Sequence, residues 1–76
     1  SKLAFYPNPV QNELFLSGAS MRSVSIMNQL GQEVKALPLA KDNSLALYLE
    51  GLPPGIYIIN VTLTSGEVVS EKIVKD

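Results

Sequence analysis

The sequence predicts an all-β domain, and three observations carry that prediction. Short apolar runs are separated by turn residues at intervals of roughly 8–12 residues, the spacing of β-sandwiches and small barrels. β-Branched residues crowd the second half of the chain, where they suit a pleated surface. No stretch holds a helical period for three turns.

Seven segments satisfy the strand pattern: residues 3–6, 13–17, 23–28, 33–37, 44–49, 56–63 and 67–74. Ser23-Val24-Ser25-Ile26 alternates most clearly and turns Val24 and Ile26 inward. Leu45, Leu47 and Leu49 share one face of the fifth segment, with Ala46 and Tyr48 on the other. Tyr57, Ile59, Val61 and Leu63 form one face of the sixth, and its other face is half apolar and half polar. The expected core therefore contains Val24, Ile26, Leu47, Tyr57, Ile59 and Val61.

The connections have readable chemistry. Asn28-Gln29-Leu30-Gly31 fits a tight turn with Gly31 at positive φ. Asp42-Asn43 tolerates the left-handed conformations of a two-residue hairpin. Pro53-Pro54-Gly55 suits a type II turn, and Ser65-Gly66 closes the last hairpin. Tyr6-Pro7-Asn8-Pro9 lacks two ladder donors and is expected to be an extended connector. One parallel edge pair is allowed for where residues 3–6 join the sheet. Two registers fit the last hairpin. A two-residue turn places Lys72 on the face of Ile59. A three-residue turn with a bulge places Val69, Glu71 and Ile73 there, and it is favoured because it buries two apolar residues.

Composition limits what such a domain can do. A length of 76 residues allows one domain, and it contains no Cys, no His and no Trp. Disulfides and metal sites built on Cys or His are excluded. Six basic residues are dispersed among seven acids, giving a net charge of −1 and no basic stripe for nucleic acid. The longest apolar stretch, residues 56–63, is too short for a membrane helix, so no direct membrane insertion is expected. The opening Ser1-Lys2-Leu3-Ala4-Phe5-Tyr6 has no signal-peptide pattern. Residues 1–76 therefore read as a single domain cut from a longer polypeptide, with any export signal outside it.

Catalysis has few candidates. The acids Glu13, Glu33, Asp42, Glu50, Glu67, Glu71 and Asp76 sit mostly at strand ends or turns, where charges solvate a surface. The Asp-rich loop of an oxygen-ligand Ca²⁺ site is missing. No catalytic activity, no metal and no cofactor are expected. Asn60-Val61-Thr62 matches the glycosylation pattern but lies inside a strand, so it reads as ordinary strand sequence. Phe5, Tyr6, Phe15, Tyr48 and Tyr57 could form a sugar-stacking platform, although they are scattered over four segments and Tyr57 belongs to the core.

Three stretches together carry a family resemblance. The first is Tyr6-Pro7-Asn8-Pro9 followed by Leu14-Phe15-Leu16. The second is Val24-Ser25-Ile26-Met27-Asn28 leading to Gly31-Gln32-Glu33-Val34. The third runs from Leu52-Pro53-Pro54-Gly55-Ile56-Tyr57 through Gly66 to Glu71-Lys72-Ile73-Val74-Lys75. Their order and spacing resemble the C-terminal sorting domain of the type IX (Por) secretion system of Bacteroidetes.

The resemblance implies an immunoglobulin-like antiparallel β-sandwich of about seven strands at the C-terminus of a secreted cargo. It implies passage through the periplasm, recognition by the outer-membrane type IX translocon, and delivery to the cell surface or beyond. It further implies removal by a surface sortase that joins the cargo to a lipopolysaccharide anchor. The implied partners are translocon and sortase components and the covalently continuous N-terminal cargo.

Translocon recognition falls on Lys72, Ile73, Val74, Lys75 and Asp76, of which Asp76 departs from the commoner basic or apolar ending. The last strand offers an edge for strand addition, guarded by Glu67, Glu71, Lys72 and Lys75. Pro7, Asn8, Pro9, Gly31, Gly55 and Tyr57 read as mainly structural motif residues. Two rival readings are an immunoglobulin-like or fibronectin-like accessory module binding carbohydrate or protein on a surface enzyme, and a passive spacer.

Overall fold

The computed structural model describes residues 3–76. Five strands follow in chain order: β1 (Ala4–Tyr6), β2 (Glu13–Met27), β3 (Glu33–Tyr48), β4 (Gly55–Leu63) and β5 (Val68–Lys75). They form one curled sheet in which every strand pairing is antiparallel.

The number of strands, five rather than seven, has a definite cause. The segments expected at 13–17 and 23–28 are two halves of β2, and those at 33–37 and 44–49 are two halves of β3. The ladder between them never breaks; it shifts register. From Ser17↔Ser44 to Met21↔Asp42 the surplus residues lie on β2, and from there to Ser23↔Pro38 they lie on β3. These irregularities bend both strands together, as bulges do. They also reset the inward parity, so Leu14 and Leu16, then Met21, then Val24 and Ile26 all point into the core.

Asp42 and Asn43 consequently lie within a continuous strand and make no hairpin. The left-handed residue at the bend is Lys41, with φ 59°. Pairing along the whole length of β2 outweighs the turn preference of two polar residues.

A second difference concerns the approach to β4. The reversal lies at residues 49–52, closed by the Leu52 amide donating to the Leu49 carbonyl at 3.1 Å. Gly51 supplies its positive φ of 91°. Pro53 and Pro54 follow outside any hydrogen-bonded turn, with a bend at Pro54 leading into β4. Gly55 is the first residue of β4.

The strand at residues 4–6 joins β2 antiparallel, with Tyr6 opposite Phe15. The parallel contact is made instead by Val10, which bridges to Lys75. In the last hairpin, the Leu63 amide donates to the Glu67 carbonyl and the Gly66 amide to the Leu63 carbonyl. This three-residue loop sets Ile59 opposite Glu71, Val61 opposite Val69 and Tyr57 opposite Ile73.

One cluster forms the core, and it includes all six residues expected there. Ile59 lies at its centre, fully buried between Ile26 of β2 and Glu71 of β5. Ile59→Ala should destabilise the domain by about 2–5 kcal/mol, lowering the melting temperature by at least about 8 °C at this chain length. Thermal unfolding followed by circular dichroism checks this.

Candidate functional site

Parts of the three motif stretches, far apart in sequence, meet at one end of the sheet. There Gly55 faces Lys75 and Ile56 faces Val74 across the β4–β5 ladder. Beyond the end of β2, the turn at residues 28–31 closes through the Gly31 amide to the Asn28 carbonyl at 3.0 Å. Asn28 Oδ1 accepts from the amides of Leu30 and Gln32 at 2.9 and 3.0 Å. Gly31 has φ 81°, which a side chain would strain, although nothing crowds the position.

The first stretch closes the outer edge of β5. The Val10 amide donates to the Val74 carbonyl, and the Val10 carbonyl accepts from the Asp76 amide, both at 2.8 Å. Asn8 adds two side-chain bonds. Its Oδ1 accepts from the Val74 amide at 3.1 Å, and its Nδ2 donates to the Lys72 carbonyl at 3.3 Å. The peptide bonds preceding Pro7 and Pro9 are both cis. Asn8 thus imitates a paired strand where two prolines could not supply one. The edge proposed for strand addition is therefore already occupied beside residues 72–76.

This changes what each expected recognition residue offers. Ile73 is fully buried in the core. Lys75, expected to guard an open edge, is only 8% exposed. No buried side-chain nitrogen or oxygen among the described residues lacks a partner, so the Lys75 ammonium snorkels to the surface along a covered stem. Lys72, Val74 and Asp76 are exposed. Glu71 faces Ile59 and is half-buried.

Beside them lies a surface that strand patterning does not reveal. The two turns enclose a groove of about 250 Å³ lined by Leu30, Val34, Leu52, Pro53, Pro54 and Ile56, among others. Leu30 is 82% exposed, and the cross-strand pair Ile56 and Val74 is also partly open. The signal for it was an apolar residue, Leu30, at the tip of a polar turn. Tyr57 packs beneath, and its hydroxyl donates to the Pro53 carbonyl at 2.5 Å.

The remaining candidates separate. Asn60 is half-buried, and its Oδ1 accepts from Ser70 Oγ at 2.6 Å, so its side chain is engaged across the ladder. Among the described residues no three acids converge on a possible metal position, and no helix is long and apolar enough to cross a membrane. Tyr48, opposite Glu13, has its phenol pKa raised by the hydrogen bond to that carboxylate, then by its charge.

The model of the secretion system C-terminal sorting domain matches residues 4–76. The chain belongs to that family, the sorting domains of the type IX secretion system. Membership makes it a C-terminal part of a cargo protein recognised by that system and marks the cargo for the cell surface or extracellular space. Among solved structures, one similar chain is CopC from Methylosinus trichosporium OB3b, with TM-score 0.54 and 23% identity. The match covers 92% of this chain and 80% of that one, and at such identity it shows the fold alone. No curated protein matches the sequence.

Two measurements follow from this geometry. Asn8→Ala removes both side-chain bonds to β5 and should cost about 1–2 kcal/mol in urea unfolding, with faster hydrogen exchange at the Val74 amide. Glu13→Gln should lower the Tyr48 pKa toward its ordinary value, because the substitution removes the charge that opposes the phenolate. Ultraviolet titration of the phenols checks the direction.

Proposed function

We propose that this domain is a non-catalytic address. It would direct a covalently continuous N-terminal cargo from the periplasm across the outer membrane through the type IX translocon, after which a surface sortase removes it. The family match over nearly the whole chain carries this reading. The gathering of Asn8, the 28–31 turn and residues 52–56 around the end of β5 supports it, because it gives parts of all three stretches one shared surface.

The reading includes an immunoglobulin-like sandwich. Two features favour it: the bends of β2 and β3, which wrap the sheet around a common core, and the Tyr57 hydroxyl bonded to the carbonyl four residues upstream. The latter has the form of the tyrosine corner found in such sandwiches.

Recognition is assigned to the exposed groups at this end: Lys72, Val74 and Asp76 with the apolar rim of Leu30 and Ile56. Ile73 and Lys75 contribute by completing β5. A reader of this surface gains from apolar contact with Leu30, Ile56 and Val74 and takes its orientation from Lys72.

The test is a reporter carrying a Sec signal and ending in this domain, expressed in a host with a type IX system. The Leu30→Ser, Val74→Ser and Lys72→Ala triple variant alters only exposed side chains. It should keep its melting temperature within a few degrees and should lose most surface delivery. Deleting residues 72–76 should abolish delivery, but through loss of Ile73 and of the Asn8 clamp as well. Full export of the folded triple variant would remove this surface from recognition. Full export of the truncated reporter as well would sink the sorting reading for the β5 end altogether.

A further inference from the structure

At the opposite end of β2, three of the five aromatic side chains come together on the outward face. Tyr6 of β1 lies opposite Phe15 of β2, and Phe15 lies opposite Ala46 of β3. Glu13 and Tyr48, one alternation further along, are also opposite each other. The Tyr6 and Phe15 rings stack with centroids 5.7 Å apart and planes at 26°. Tyr48 is 58% exposed and Tyr6 49%. Their neighbours on this face are small: Ala4, Ser17, Ser44 and Ala46. A shallow cavity of about 270 Å³ opens beside the stacked pair, with Ser44 and Ala46 in its lining. Phe5 and Tyr57 face the core and take no part.

We propose that this face is a glycan-binding strip, in which Tyr6, Phe15 and Tyr48 lie against the C–H faces of pyranose rings while Glu13, Tyr48 and Ser44 meet their hydroxyls. The extent of the patch selects the occupant. The three rings together expose on the order of 300 Å², well short of the ~800 Å² per partner that a stable protein interface buries. A patch of that size fits a small amphipathic ligand with apolar faces and polar rims. The polar groups narrow the choice. The Tyr48 hydroxyl and the Glu13 carboxylate stand on directly opposed positions of the ladder, a donor beside an acceptor that a sugar hydroxyl matches because it donates and accepts at once. A cation would use only the carboxylate and the ring faces. The inference does not rest on the sorting reading, since it uses the outward faces of β1, β2 and β3 and none of the residues assigned to recognition.

The experiment is a ¹⁵N–¹H NMR titration of the 76-residue chain with cellohexaose, chitohexaose and α-1,6-linked mannohexaose in turn. At least one should shift amides in 4–6, 13–17 and 44–48, with Kd on the order of 1 mM. Tyr48→Ala and Tyr6→Ala should each weaken that binding by about five- to tenfold while the core amides stay in place. Tyr48→Phe keeps the ring and removes only the hydroxyl, and it should weaken binding less than Tyr48→Ala does. Three silent titrations would overturn the proposal. So would shifts centred elsewhere, binding that survives the Tyr6→Ala and Tyr48→Ala double variant, or a response at these residues to arginine hydrochloride but to none of the sugars.

Discussion

β2 gives one edge to β3 along nearly its whole length and divides the other between β1 and β4. A straight 15-residue strand could not do this around a single core. Its two ends would lie about 45 Å apart at the ordinary rise per residue, whereas the whole domain measures 31 × 22 × 20 Å. The register shifts between Ser17 and Ser23 resolve the conflict. They fold the spine of the sheet, return the inward face to Val24 and Ile26, and bring β4 to lie where β1 leaves off. Burial of Met21 at the bend anchors the arrangement. Placement of the Leu30 turn, the proline connector and β5 all descends from that bend, because β4 is aligned by the second half of β2 and β5 by β4.

The class of fold and its core were legible because they depend on alternation, which is local. Val24, Ile26, Leu47, Tyr57, Ile59 and Val61 could be read from a period of two and all are buried. The last hairpin was legible because only one register hid both Val69 and Ile73. Strand number was not legible, since a register shift interrupts the pattern just as a loop does. Gly18, Ala19 and Ser20 look like a gap in sequence yet lie within β2, as the irregularity between two paired stretches of one strand. Turn residues misled for a related reason. Asp42 and Asn43 have turn propensity, but the partner strand decides whether the chain reverses, and here β2 continues beside them.

The site was legible in its parts and illegible in its assembly. The motif residues were identifiable one stretch at a time, but nothing in Pro7-Asn8-Pro9 announces that Asn8 bonds the backbone at Lys72 and Val74. Such a contact depends on topology rather than composition. Lys75 shows the same limit: a lysine near a chain end reads as solvated, and only the packing of Val10 against β5 reveals its covered stem. The aromatic residues, scattered along the chain, divide cleanly once the strands are paired, with Tyr6, Phe15 and Tyr48 outside and Phe5 and Tyr57 toward the core.

The Asn8 clamp joins positions 64 and 66 residues apart. It cannot close until the ribosome has released β5, however early Asn8 itself emerges. A polypeptide that stops or is cut before β5 leaves Ile73 missing from the core and the β4 edge bare. Such a domain fails to fold rather than folding with a blemish, since at this size the loss of one core strand removes most of the available stability. The surface around β5 is thereby a joint product of both ends of the fold: it forms only where Asn8 and the backbone of residues 72–74 are present together.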